Sequence, residues 1–175
     1  MNIYQPSPST LADLIENVQS SSSGAFNRRD TVSAIKRIAC MIGASPQSIA
    51  LEVPSLRYAL AAIRPAAHGI TMKTDANFKW RFRSALEQVG IVDRMPHGIA
   101  QNNPGWQELV ASIAGDKRRA YGLAAFINWC ALNNVLPGQV SDETVSLFAD
   151  WIQARTLYAK PKDVIRRVPT IWNEV

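Results

Sequence analysis

Apolar residues recur at helical spacing along most of the chain, and Pro, Gly, Asn and Ser punctuate the stretches between. In STLADLIENVQ, Leu11, Leu14, Ile15 and Val18 keep the i, i+3, i+4, i+7 spacing of one helix face, so a short helix is expected. Residues 20–27, SSSSGAFN, read as a flexible linker. TVSAIKRIACMIG follows, with Val32, Ile35, Ile38, Ala39 and Ile42 inward, an expected cap at Asp30 and Gly43 as terminator. Ser45-Pro46 has the form of a helix start, and VPSLRYALAAIRP predicts a short helix between Pro54 and Pro65. Thr71 is placed to cap TMKTDANFKWRFRSALEQVG, which Gly90 closes.

The stretch VDRMPHGIAQNNPG, residues 92–105, is dense in Pro, Gly and Asn and marks the best internal boundary. Beyond it Asn103-Pro104 starts PGWQELVASIAG. Asp116 starts KRRAYGLAAFINWCALNN, with Leu123, Phe126, Ile127 and Cys130 inward. Ser141 caps DETVSLFADWIQA, whose Asp142 and Glu143 suit the positive end of the helix dipole. In the last stretch, KPKDVIRRVPTIWNEV, Pro169 lacks a backbone donor and is expected to kink or restart the helix near Val168. No stretch sustains the alternation of a strand, so the expected fold is all-α.

A weak internal repeat runs through the pattern. AIKRIACMIGASPQSI resembles AAFINWCALNNVLPGQV, and LRYALAAIRP resembles VSLFADWIQA. MKTDANFKWRFRSALEQV resembles KPKDVIRRVPTIWNEV, with Lys73 against Lys162. The expected organisation is an N-terminal arm over 1–27 containing the short helix, a helical unit over 28–93, a linker over 94–103 and a second unit over 104–175. Each unit is a small bundle of four to five helices, near the lower size limit for independent folding.

Composition narrows the class. With 47% apolar and 19% charged residues the chain is too hydrophobic for a disordered protein. Its longest apolar run, Tyr58–Ile63, is far too short to span a bilayer, and the N-terminus carries no secretory pattern. A soluble cytoplasmic protein is expected. Cys40 and Cys130 lie inside apolar helical patterns without a C-x-x-C neighbour, so both are expected to be buried, reduced thiols. His68 and His97 stand alone in turn-like contexts. No phosphate-binding loop, dinucleotide fingerprint, zinc set or nucleophile context occurs. No cofactor, metal or small-molecule substrate is therefore expected, and the chain reads as a binding module without catalysis of its own.

Charge suggests the partner. The net charge is +5. Residues 1–70 are nearly balanced, whereas 73–83 set Lys73, Lys79, Arg81 and Arg83 against Asp75 alone. Residues 155–167 set Arg155, Lys160, Lys162, Arg166 and Arg167 against Asp163 alone. Two basic helical blocks suit a polyanion, because phosphate neutralisation drives nucleic-acid affinity. On the helix opened by Thr71, Phe78, Phe82, Ala85, Leu86 and Val89 form the apolar stripe. Lys73, Asn77, Trp80, Arg81 and Ser84 form the opposite one, a set able to grip phosphates and touch base or sugar edges. The alternative for Trp80 is packing on the second unit. In the last helix Lys162, Arg166 and Arg167 share a side. Lys117, Arg118 and Arg119 occupy a first turn, where cations oppose the dipole unless an anion compensates them.

The helix–break–helix followed by GITMKTDANFKWRFRSALEQVG resembles the SAM-like core-binding domain of tyrosine-type site-specific recombinases, the phage-type integrases. Ser84-Ala85-Leu86 matches the S-A-L with which the last helix of that domain typically continues. LFADWIQARTLYAKPKDVIRRVPTIWNEV looks like a second copy, ending in the Ile171-Trp172-Asn173 tail of integrase-like proteins that carry two such units. The resemblance spans roughly residues 29–175. It implies helices that clamp double-stranded DNA beside a crossover site, self-association on DNA, a nucleoid association in the cytoplasm, and a separate catalytic domain. That domain would supply an arginine pair, a lysine, an H-x-x-R box and a nucleophilic tyrosine. His97 is followed by Ala100 where the box needs Arg, so the chain is expected to be either the N-terminal part of a recombinase or a stand-alone DNA-binding relative. The competing expectation is a helical module that docks an acidic protein partner.

Overall fold

A computed structural model describes residues 8–22 and 24–175, without the side chains of Ala25 and Phe26. The first residues of the expected arm, 1–7, and Ser23 of the expected linker lie outside the described residues. The described chain is all-α, and its one β-type contact is an isolated antiparallel bridge between Thr10 and Ala50. It divides into two compact units, Met1–Asp93 and Arg94–Val175. None of the described helices is long and apolar enough to cross a membrane.

The first unit holds α1 (Leu11–Ser20), α2 (Ala25–Ile42), α3 (Val53–Ala62) and α4 (Met72–Gln88). The predicted face of α1 is buried in full: Leu11 and Leu14 are inaccessible, with Ile15 and Val18 nearly so. This helix belongs to the unit and is not an arm. Backbone bonds from Leu11 N–H to the Ile49 carbonyl (3.0 Å) and from Leu51 N–H to the Ser9 carbonyl (2.8 Å) tie its entry to the segment before α3. A capping box between Thr10 and Asp13 fixes its start. Hydrogen bonds from the Ser9 side chain and from the Ser9 and Thr10 backbone lower the Asp13 carboxyl to about 2. The box is therefore complete above the ordinary carboxylate range and opens only as pH falls through that value.

Two expected boundaries move. The second helix starts at Ala25 behind Gly24 and runs through Asp30, so Asp30 lies inside the helix and does not cap it. Ser45-Pro46 begins only a 3-10 turn, Pro46–Ser48. The caps expected at Thr71, Asn103, Asp116 and Ser141 are all present, each side chain accepting from a backbone N–H of its helix's first turn. Val32, Ile35, Ile38 and Ala39 meet Phe82, Ala85 and Leu86 in the buried set of this unit, and Asp75 of α4 is buried with them. Its carboxylate pairs with Lys79 at 2.9 Å.

The second unit holds α5 (Pro104–Ile113), α6 (Lys117–Leu132), α7 (Asp142–Arg155) and α8 (Pro161–Trp172). Its core is aromatic. Phe126 contacts Phe148 and Trp172 at centroid separations of 5.2 and 5.7 Å, and Trp106 lies 6.0 Å from Trp172. Trp129, Phe148 and Trp151 extend the cluster. Burying each such ring contributes about 1.5–3 kcal/mol, and each tilted or edge-on pair adds about 0.5–1.5 kcal/mol. Trp106 donates its indole N–H to the Val135 carbonyl at 2.9 Å, so the ring is buried without an orphaned donor.

Residues 94–103, expected as a linker, are part of this unit. Ala100 is fully buried, and the buried Asn128 side chain accepts from Ile99 N–H (2.8 Å) and Ala100 N–H (3.1 Å) while donating to the Ala124 carbonyl (2.8 Å). Pro169 also departs from expectation, because α8 runs through it to Trp172. Its ring lies on the exposed side, and Asn173 N–H returns to the Pro169 carbonyl at 3.1 Å. Cys130 is buried as expected, its thiol pushed up to about 12 by desolvation, but Cys40 is exposed near the end of α2.

The repeat seen in the sequence reappears as element order. The second helix of each unit ends at a left-handed residue, Gly43 (φ 80°) or Asn134 (φ 58°). The next N–H reaches five residues back, Ala44 to the Ala39 carbonyl and Val135 to the Cys130 carbonyl. A proline then opens a 3-10 turn in each, Pro46–Ser48 and Pro137–Gln139. Asn128→Ala should lower the stability of the second unit by about 2–3 kcal/mol, since it strands two backbone donors. The measurement is a urea titration followed by tryptophan fluorescence, which reports mainly on the second unit because four of the five tryptophans lie there.

Candidate nucleic-acid interface

In the second unit two of the basic clusters read from the sequence come together. Asp116 accepts from Arg119 N–H at 3.1 Å and so sets the start of α6, leaving Lys117 and Arg118 exposed beside its unpaired N–H groups. On α8, burial of Val164, Val168 and Ile171 turns Arg166 and Arg167 outward. The two helices pack against each other, and Gly122 of α6 leaves room for the tip of the Ile171 side chain, which a Cβ there would force to shift. Lys117, Arg118, Arg166 and Arg167 consequently line one open groove of about 390 Å³, together with Tyr121 and Thr170. Four cations and a helix N-terminus converge on it, a local field that favours an anion.

Acidic side chains modulate this groove. Glu174 takes a bidentate pair from Arg118, at 2.5 and 2.9 Å, and lies 4.0 Å from Arg119. The Arg118 guanidinium lowers the Glu174 carboxyl below its usual range, and Glu174 raises Arg118. A lowered carboxyl keeps this pair closed at neutral pH and opens it only in acid. Arg119 is also held by Asp116 at 3.3 Å. Arg166 and Arg167 approach Asp163 only to 4.0 Å, and Arg167 Nε donates to the Asp163 carbonyl at 3.1 Å. Arg166 is more open than Arg118 and Arg167, its side chain 82% accessible. Lys160 and Lys162 are exposed at the first turn of α8 and do not line the groove.

In the first unit the polar stripe of α4 divides. Lys73, Asn77 and Trp80 are exposed, Trp80 at 66%. Arg81 is not a free cation, because it donates to Asp30 at 2.9 Å and to Asn27 at 3.3 Å and so locks α4 onto α2. Ser84 is half-buried in a shallow depression of about 40 Å³ that Arg28, Thr31 and Trp80 also line. This depression lies between the second and fourth helices of its unit, as the groove of the second unit does. Counted back from Cys40 and Cys130, Asn27, Arg28 and Thr31 hold the places of Lys117, Arg118 and Tyr121.

Sequence reasoning missed Tyr121, Arg28 and Glu174. Tyr121 is 80% exposed and stands one helical turn beyond Lys117, so its position inside KRRAYG was the available signal. Arg28 was hidden by the expected linker, and nothing in the sequence places Glu174 against Arg118. Among the described residues no group of three or more His, Cys, Asp or Glu could hold a metal ion. Comparison with protein-family models, curated proteins and solved structures finds no match.

Glu174→Gln should release Arg118 toward the groove. Heparin or duplex-DNA affinity should rise several-fold, and the salt dependence should steepen by about 0.9 in log–log slope for one further phosphate neutralised. Fluorescence anisotropy at several salt concentrations reads both quantities.

Proposed function

We propose that the chain is a DNA-binding helical module of the kind that forms the core-binding region of tyrosine-type recombinases and phage-type integrases. The observation that carries the binding reading is the convergence of Lys117, Arg118, Arg166 and Arg167, from two separate helices, on one open groove. Cations scattered over a solvated surface would not need a shared concavity. The recombinase assignment rests on the sequence resemblance, with Ser84-Ala85-Leu86 in α4 and Ile171-Trp172-Asn173 at the end of α8.

In this reading Arg166, Arg167 and Lys117 take phosphates directly, and Arg118 joins when it leaves Glu174. In the first unit Lys73 supplies a phosphate contact, Asn77 and Trp80 meet base or sugar edges, and Arg81 acts through the α2–α4 packing. Such a module holds DNA and leaves strand chemistry to a domain that carries the catalytic residues.

The test is a titration of labelled duplex DNA across a salt series. Lys117→Ala combined with Arg166→Ala should weaken binding and reduce the log–log slope by about 0.9 for each phosphate that is no longer neutralised. An unchanged slope removes the groove from the interface. Tight binding to an acidic polypeptide with no affinity for DNA would instead establish a protein-docking module.

A further inference from the structure

Tyr121 is the one groove residue that a purely electrostatic grip on phosphates does not account for. An aromatic side chain left 80% exposed on a helix is exceptional in a unit that buries or half-buries all its Phe and Trp rings. It stands on a ridge. On one side is the cationic groove between α6 and α8. On the other, between the 3-10 turn Ala100–Asn102, α5 and α6, lies a second groove of about 340 Å³. Lys117 and Tyr121 line both.

The second groove differs in chemistry. Ala114, Ala120 and Ala124 leave its walls low, and Val110, Ile113 and Ile127 make it apolar. Asn128, though polar, already spends its side chain on Ile99, Ala100 and Ala124. Its volume lies within the roughly 300–1,000 Å³ of small-molecule sites, and a flat ring bordered by an aromatic face suits such a surface. A phosphate does not, since only Lys117 among its lining residues is charged.

We propose that the two grooves flanking Tyr121 form one bipartite site for an unpaired nucleotide of a DNA strand, with the base stacked on Tyr121 over the alanine-walled groove and the adjoining phosphates on Arg118, Arg166 and Arg167. This deepens the DNA-binding reading and rests on it. Paired bases in a duplex cannot present a face to an aromatic ring, whereas single-stranded or locally unpaired DNA can, and aromatic platforms among cations are how such strands are held. The site therefore selects unpaired over fully paired DNA. The first unit gives an independent parallel: Trp80, 66% exposed, lies beside Arg28 between the equivalent helices, with the ring supplied by the opposite wall.

The experiment compares a labelled oligothymidylate with a duplex of equal length, using the full chain and the variants Tyr121→Ala, Tyr121→Phe, Ala124→Leu and Arg166→Ala. Ala124 is exposed, so leucine fills the apolar groove without entering the core, and circular dichroism checks the folding of every variant. Tyr121→Ala should weaken single-strand binding about tenfold, the scale of one missing base stack, and change duplex binding less than twofold. Ala124→Leu should act in the same direction, Tyr121→Phe should retain affinity, and Arg166→Ala should weaken both ligands. Equal losses on both ligands for Tyr121→Ala, or no loss on the single strand, would overturn the proposal and leave the DNA-binding reading standing. A wild-type chain that binds neither ligand would overturn this proposal together with the DNA-binding reading.

Discussion

The crossing of α6 over α8 at Gly122 and Ile171 is the constraint on which the second unit depends. A glycine inside a helix costs about 0.5–1 kcal/mol relative to alanine, so its position needs a return elsewhere. That return is the close approach of two helices, which lets Ile171 and Trp172 reach the aromatic cluster around Phe126 and Trp106. The same approach brings the first turn of α6 against the basic side of α8. The core and the cationic groove are two faces of one packing event. A change that separates the helices would weaken the fold and disperse the charges together.

Charged residues accordingly serve two purposes that sequence alone does not separate. Arg81 and Lys79 carry the same formal charge as Arg166, yet the first two are committed to Asp30 and Asp75. The Arg81–Asp30 pair is partly exposed and worth only about 0.2–1 kcal/mol, whereas Lys79 compensates a buried carboxylate. Their main effect is to fix the side chains and to lower the charge available to a partner. Glu174 has an intermediate role, because its pair with Arg118 is solvent-accessible and competes with any anion entering the groove.

Much of the fold was legible because it rests on local rules. The period of Leu11, Leu14, Ile15 and Val18, the caps at Thr71, Asp116 and Ser141, and the left-handed Gly43 are properties of short segments, and the structure has each of them. What was not legible depends on partners distant in sequence. The burial of α1 follows from its packing on α2 and on the segment before α3, and the role of residues 94–103 follows from Asn128 in α6. Pro169 looked disruptive because its missing donor was visible, whereas its exposure on the outer side of α8 was not. Of the candidate site, the basic residue types were readable, but the sequence does not say that Arg166 meets Lys117 or that Arg81 meets Asp30.

The internal repeat explains why the two units offer such different concavities. In the alignment that pairs Cys40 with Cys130 and Lys73 with Lys162, Asp30 corresponds to Ala120 and Arg81 to Thr170. The ion pair that spans the first unit's second and fourth helices is not repeated at the equivalent positions; in the second unit Arg118 of α6 pairs instead with Glu174, just beyond α8. Where Arg81 crosses to Asp30, the depression is about 40 Å³; the groove that Thr170 lines in the second unit is about 390 Å³. The second unit thus bridges the same helix pair at the far end of α8 and leaves the side lined by Arg166, Arg167 and Thr170 open. Arg118 is held by Glu174, whereas Arg166 and Arg167 approach Asp163 only to 4.0 Å, so cations outnumber the carboxylates near the groove and its local field stays positive, while the first unit spends Arg81 on its own packing.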